Sequence, residues 1–100
     1  MRNYGKNDLA IHARAGERFT VELESMPTAG YGWTLSKTDS SIHLISQDTR
    51  AQSTGIGGAA VDVFLLEPSS PGNWDLEWRY GRPWEAKATQ RHVVRVEVES

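Results

Sequence analysis

The sequence of 100 residues contains no cysteine. This absence excludes a disulfide framework, a thiolate zinc site and a catalytic thiol. Long apolar runs are also absent, because no stretch approaches the roughly 20 residues that a membrane helix requires. The first ten residues are polar and lack the apolar segment of a secretory signal. We therefore expect either a cytoplasmic protein or a mature exported protein whose signal has been removed, in both cases without a membrane partner.

A surplus of basic charge is missing as well. Lysine and arginine total 11 against 13 acidic residues, which gives a net charge of −2. Proteins that bind nucleic acid usually have a large excess of basic over acidic residues, so no nucleic-acid partner is expected. The length fits one domain, and 38% hydrophobic with 24% charged residues is typical of an ordered globular protein. We place that domain at residues 8–100, after a polar N-terminal segment of residues 1–7.

No window of useful length shows helical periodicity, whereas alternation with a period of two is common. The clearest alternation covers Arg18–Glu24, Gly72–Tyr80 and the end of the chain from His92 onward. Such alternation predicts strands with one face on a core and the other in water. Weaker strand candidates are Asp8–Ala13 (with Leu9, Ile11 and Ala13 inward), Gly32–Ser36, Ile42–Ser46, Arg50–Thr54 and Ala60–Leu66.

Glycine and proline separate these strands at intervals of about ten residues. The predicted fold class is therefore all-β, an immunoglobulin-like antiparallel β-sandwich of seven or eight strands. Because no disulfide can support the core, its bulk is expected from Trp74, Trp78 and Trp33. The most hydrophobic run, Val61–Leu66, is expected on a central strand.

Catalytic patterns are not found. No serine lies in a Gly-x-Ser-x-Gly elbow, and His12, His43 and His92 fall in separate predicted strands without metal-ligand spacing. His92 belongs to an inward set and is expected to be a hydrogen-bonded core imidazole. We therefore expect neither an enzyme nor a cofactor. The strand carboxylates are expected on solvated faces, namely Glu22, Glu24, Asp75, Glu77, Glu97 and Glu99.

A glycine-rich segment is formed by Gly55, Ile56, Gly57 and Gly58. A phosphate loop would need a following lysine with serine or threonine, and a helix behind it, and neither is found. The segment is either a hairpin turn or a loop low in side chains whose backbone can lie against a partner.

Two further loops are distinctive. The first contains Pro27, Thr28, Ala29, Gly30 and Tyr31; by itself it is a well-formed turn, in which Gly30 permits a tight return. The second contains Arg82, Pro83 and Trp84, within a basic and aromatic cluster completed by Arg79, Tyr80, Lys87 and Arg91. Its tryptophan is either a plug at the mouth of the sandwich or a rigid aromatic anchor for a protein partner.

The order of these three loops on an all-β chain resembles the chagasin-type inhibitors of papain-family cysteine peptidases. The resemblance covers the chain from residue 8 to the end, with Pro-Thr-Ala-Gly-Tyr, Gly-Ile-Gly-Gly and Arg-Pro-Trp in sequence. Two positions depart from the family motif, since Met26 stands where asparagine is usual and Ala29 replaces a threonine. The resemblance therefore implies the family's fold and mode of binding, with weaker inhibition or a different peptidase target.

The resemblance implies reversible inhibition by three loops that occlude the peptidase cleft. The loop Pro27–Tyr31 would enter its centre, Gly55–Gly58 would lie along the non-primed side, and Arg82–Trp84 would cover the primed side. The implied partner is a papain-like cysteine peptidase, bound by a monomer. Two other classes remain open: a non-inhibitory immunoglobulin-like protein-binding module, and a nucleic-acid or glycan binder that uses Trp84 and the neighbouring arginines.

Overall fold

The computed structural model describes residues 1–51 and 59–100. These residues form a β-sandwich of two four-stranded sheets, which confirms the predicted all-β, immunoglobulin-like fold. They also contain one short 3-10 turn at Pro27–Ala29. The strands are β1 Arg2–Tyr4, β2 Ala10–Arg14, β3 Phe19–Ser25, β4 Gly32–Lys37, β5 Ile42–Ala51, β6 Ala60–Pro68, β7 Gly72–Gly81 and β8 Gln90–Glu99.

The first sheet has the order β1-β3-β6-β5 and the second has the order β2-β8-β7-β4. Neighbouring strands pair antiparallel except at the two edges formed by the N-terminal strands. There β1 pairs in parallel with β3, and β2 pairs in parallel with β8. Strand β6 is an interior strand, as its hydrophobic sequence predicted. Strand β1 lies within residues 1–7, where Tyr4 packs edge-on against Phe19 at 6.0 Å between ring centroids.

The core lies between the sheets and is built from the alternating residues of β3, β6, β7 and β8. Trp78 is fully buried, Trp33 is 3% exposed, and Trp74 is half-buried against the core. The aromatic packing expected of these three tryptophans is therefore confirmed. None of the helical structure in residues 1–51 and 59–100 is long and apolar enough to cross a membrane.

Two expectations about the edge strands are wrong. Leu9 is 66% exposed rather than inward, because β2 begins only at Ala10, the residue after Leu9. Ile11 is buried and Ala13 packs against the core, as predicted. The two strands expected at Ile42–Ser46 and Arg50–Thr54 are one continuous strand as far as Ala51. Its polar middle residues are compatible with a strand because β5 is an edge strand with nine of its ten residues exposed. Residues 52–54 lie outside the described residues.

His92 is a third correction. Its side chain is buried as predicted, at 4% exposed, between Trp33 and Trp78. The expected hydrogen bond is not formed, because its Nε2 has no partner among the described residues. Burial lowers the pKa of His92 below its ordinary value of 6.5, and the positive charge of Lys6 lowers it further. Burial and the charge of Lys6 therefore both favour the neutral form of this imidazole.

Candidate functional site

The three distinctive loops are connected to strands that end at the same end of the sandwich. In the first sheet, Ser25 and Ala51 both pair with Ala60. In the second sheet, Gly32 pairs with Gly81, and Tyr80 pairs with Gln90. The strand pairing therefore brings the Pro27–Tyr31 loop, the ends of β5 and β6, and the 82–89 segment to one end. We call this the three-loop end.

The Pro27–Tyr31 loop is closed by its own backbone. The Met26 carbonyl accepts hydrogen bonds from the amides of Ala29 at 3.0 Å and Tyr31 at 3.2 Å. Gly30 adopts a φ of +85° and donates to the Pro27 carbonyl at 3.0 Å. The side chain of the N-cap residue Met26 forms no capping hydrogen bond. The methionine at position 26 is therefore compatible with the turn, since only the backbone of that residue closes it.

Arg82 joins the second loop to the first. Its Nε donates to the Ala29 carbonyl at 3.0 Å, and its guanidinium lies over the Tyr31 ring at 4.4 Å from the centroid. A weaker ion pair with Glu85 at 3.4 Å holds the other side of the guanidinium. Because a charged donor forms the stronger kind of hydrogen bond, Arg82 fixes the relative position of the two loops.

Trp84 lies beside Gly30 and is 73% exposed. A Cβ atom built on Gly30 would be 2.7 Å from the ring atom Cη2 of Trp84, closer than real Cβ contacts. The ring can approach because residue 30 has no side chain. Trp84 is therefore outside the core, and it presents a large apolar surface next to the tip of the first loop.

An aromatic stack supports this end from below. Tyr31 stacks on Tyr80 at 5.4 Å with an interplanar angle of 18°, and Tyr80 packs on Trp33 at 4.8 Å. The indole N–H of Trp33 donates to the Glu24 carbonyl at 2.8 Å. Burial raises the pKa of Tyr80, a shift that the nearby backbone of Met26 opposes. The stack connects the exposed loop to the core tryptophan.

Asp62 ties the two sheets together beneath the loops. It is 4% exposed, and its carboxylate accepts hydrogen bonds from the Trp33 amide at 2.9 Å and the Thr49 hydroxyl at 2.8 Å. Asp62 belongs to β6 and Trp33 to β4, so the first bond crosses from one sheet to the other. A buried carboxylate is stable only when its oxygens are hydrogen-bonded. This contact fixes where β4 begins, directly after the Pro27–Tyr31 loop.

The structure brings together the residues predicted at two of the three loops. Pro27, Ala29, Pro83 and Trp84 are exposed there, while Gly30, Tyr31 and Arg82 are half-buried. Nothing is described of the Thr28 side chain. The predicted residues Gly55, Ile56, Gly57 and Gly58 lie outside the described residues.

The basic and aromatic cluster expected around Trp84 is divided by the fold. Tyr80 points into the aromatic stack, and Arg82 is engaged by the first loop. Arg79 and Arg91 lie opposite each other on β7 and β8. The cluster is therefore not one continuous stacking surface for single-stranded nucleic acid.

Three features of the site were not found in the sequence. They are the buried Asp62, the hydrogen bond from Arg82 to the first loop, and the stack of Tyr31 on Tyr80. The only available signal was an aspartate within the most hydrophobic strand, where a charged residue requires buried partners. The other two contacts join residues about 50 positions apart, and no local pattern reports them.

Comparison with known proteins identifies a matching family and similar folds. The model of the chagasin family of peptidase inhibitors, I42, matches residues 12–98. Among curated proteins, none matches this sequence. The structure is similar to that of the cysteine protease inhibitor EhICP2 from Entamoeba histolytica, with a TM-score of 0.81, 21% identity, and 99% of this chain and 97% of that chain covered.

Two other solved structures are similar. Amebosin has a TM-score of 0.82 and 20% identity, with 98% of this chain and 97% of that chain covered. PbICP-C in complex with falcipain-2 has a TM-score of 0.66 and 16% identity, with 97% of this chain and 89% of that chain covered.

Proposed function

This chain belongs to the chagasin family of peptidase inhibitors, and we propose that it inhibits papain-family cysteine peptidases by occluding the active-site cleft with the three-loop end. Membership of that family identifies it as an inhibitor rather than an enzyme. The choice of target is supported by the solved structures, since EhICP2 is a cysteine protease inhibitor and PbICP-C was solved with falcipain-2.

The single observation that carries the mode of binding is the contact between Trp84 and Gly30. It joins an exposed indole to the tip of the first loop, so the two loops form one edge rather than two independent projections. An exposed tryptophan on a rigid support is the kind of residue that dominates interface energies. A preordered edge also loses little conformational entropy when it docks.

Each loop has a proposed place in the cleft. The segment Pro27, Thr28, Ala29, Gly30 and Tyr31 occupies its centre, beside the catalytic cysteine and histidine. Its tip is a tight turn with internal hydrogen bonds. That geometry differs from the extended backbone of a substrate, so no scissile bond is offered. Inhibition is therefore reversible.

The other two loops cover the sides. Gly55, Ile56, Gly57 and Gly58 lie along the non-primed side, where a backbone low in side chains can approach closely. Arg82, Pro83 and Trp84 lie on the primed side, where the exposed indole stacks on the wall of the cleft.

Steady-state inhibition of papain and of a cathepsin-like peptidase tests this function. We expect competitive, reversible inhibition with a Ki between about 1 nM and 1 μM, and an intact inhibitor mass after prolonged incubation with enzyme. No inhibition of any papain-family enzyme at high micromolar concentration would contradict the proposal and favour a non-inhibitory binding module. Cleavage within residues 27–31 would contradict the proposed binding geometry.

A further inference from the structure

The outer face of the second sheet contains an unmatched pair of like charges. Arg79 on β7 lies directly opposite Arg91 on β8, an arrangement that destabilises a sheet. On the same two strands Asp75 lies opposite Arg95, and these two form an ion pair at 3.4 Å. The contrast shows that this face accommodates matched charges at one cross-strand position and repelling charges at another.

Arg79 has unused hydrogen-bonding capacity. Its Nε is buried and has no hydrogen-bond partner among the described residues, and its Nη2 donates only to the Ala86 carbonyl at 3.4 Å. Within the described ranges, Arg79, Lys87 and Arg91 take part in no ion pair. A buried N–H without an acceptor costs stability, so the fold carries two unfavourable features at this one place.

A groove lies beside this pair of arginines and is lined by Arg79 and Lys87, whereas Arg91 lies on the strand next to it. Residues of the segment between β7 and β8 line it together with residues of the sheet, and its volume is about 420 Å³. Glu85 on its wall is already paired with Arg82, so the lining carries a net positive charge although the chain as a whole is at −2. Lining residues include Tyr31, Thr34, Arg79, Arg82, Glu85 and Lys87.

We propose that this cationic patch, formed by Arg79, Lys87 and Arg91, is a second contact surface that receives a carboxylate-bearing segment of the peptidase beside its cleft. The proposal rests on the proposed function, because the groove is continuous with the three-loop end through Tyr31 and Arg82. A carboxylate held between these side chains would screen the repulsion between Arg79 and Arg91 and pair with the exposed Lys87. Such a contact raises the association rate and distinguishes peptidases by the charge beside the cleft.

The variant Arg91→Glu tests the proposal because it separates stability from inhibition. A glutamate opposite Arg79 replaces a like-charge pair with an ion pair, so we expect the Tm to rise by about 2–4 °C. The same change removes positive charge from the patch. We expect the Ki for the most tightly inhibited peptidase to rise about tenfold at low ionic strength, with a smaller difference at high salt.

The matched control is Arg95→Glu, on the same strand and the same face. It places two acidic residues opposite each other at Asp75, so we expect a lower Tm and an unchanged Ki. Equal Ki values for the two variants against every peptidase that the wild type inhibits would overturn the proposal and leave the proposed function intact. Wild-type protein that inhibits no peptidase would overturn both. Saturable binding of a single-stranded oligonucleotide that Arg91→Glu abolishes, with the Ki unchanged, would assign the patch to nucleic acid and overturn the proposal.

Discussion

The indole of Trp84 lies against Gly30, in the space that a side chain at residue 30 would occupy. A Cβ atom there would be 2.7 Å from the ring, and the φ of +85° is in the left-handed region. Glycine at this position therefore does two things, since it permits the turn and admits the ring of the other loop. The two loops can form one edge only while residue 30 is glycine.

Gly30→Ala is expected to weaken inhibition more than it weakens the fold. The left-handed backbone costs a non-glycine residue about 1–2 kcal/mol, and the added methyl group displaces Trp84. Gly16→Ala is the matched control, because Gly16 has a φ of +84° with nothing within 4 Å of its Cβ position. We expect similar losses of unfolding free energy for both variants in urea denaturation, and a raised Ki for Gly30→Ala alone. A raised Ki for both variants would contradict the role of the Trp84 contact.

Trp84→Ala is expected to weaken binding by about 2 kcal/mol, or roughly 30-fold in Ki. Because the side chain is 73% exposed, the free energy of unfolding should change by less than about 0.5 kcal/mol. Leu9→Ala removes another exposed apolar side chain, outside the three-loop end, and should leave both quantities unchanged. Inhibition assays beside urea denaturation distinguish these outcomes. An unaltered Ki for Trp84→Ala would exclude Trp84 as an anchor.

Arg82→Met is expected to loosen the first loop. The substitution keeps an unbranched side chain but removes the hydrogen bond to the Ala29 carbonyl and the charge over Tyr31. These contacts together contribute about 1–2 kcal/mol, so the Ki should rise about tenfold. Amide exchange at residues 29–31 should also increase. Glu85→Gln removes only the 3.4 Å ion pair and should have a smaller effect on both measurements. An equal effect would show that the first loop is held in place through Glu85 rather than through the contacts of Arg82.

Asp62→Ala is expected to lower the free energy of unfolding by about 2–4 kcal/mol. It leaves the Trp33 amide and the Thr49 hydroxyl without their buried acceptor. Asp75→Ala removes an exposed carboxylate from a surface ion pair and should cost less than about 1 kcal/mol. Urea denaturation of the two variants provides the comparison. Equal losses would show that the link between the sheets contributes no more than a surface pair.

Stability is expected to fall as the pH decreases below about 6.5, because the pKa of buried His92 is lowered in the folded protein. In that range the unfolded chain binds a proton that the folded chain excludes, so protonation favours unfolding. The loss ends once the pH is below the folded pKa, where both states are protonated. Urea denaturation between pH 7.5 and 5.5 measures this slope, and His92→Gln should flatten it. An unchanged slope in that variant would assign the pH dependence to other groups.

The sequence by itself determined the fold class and the order of the loops. Alternation with a period of two indicates half-buried strands directly, because side-chain direction in a strand depends only on position along the chain. It located β3, β7 and β8 to within a residue or two, together with the inward Trp74 and Trp78 of β7. The pattern failed at β2 and β5, which are edge strands. An edge strand can begin late or expose both faces, and alternation then carries no information about burial.

Only the tertiary structure decided how the loops are held. The Arg82 hydrogen bond to Ala29, the Trp84 contact with Gly30 and the Asp62 bond to Trp33 join residues that are 29 to 54 positions apart. Such contacts depend on which strands become neighbours and in which register. A one-residue change of register would turn each side chain to the opposite face. The sequence therefore determined which residues lie in the loops at 27–31 and 82–84, and the pairing of β4 with β7 and the packing of the two sheets determined which of them meet.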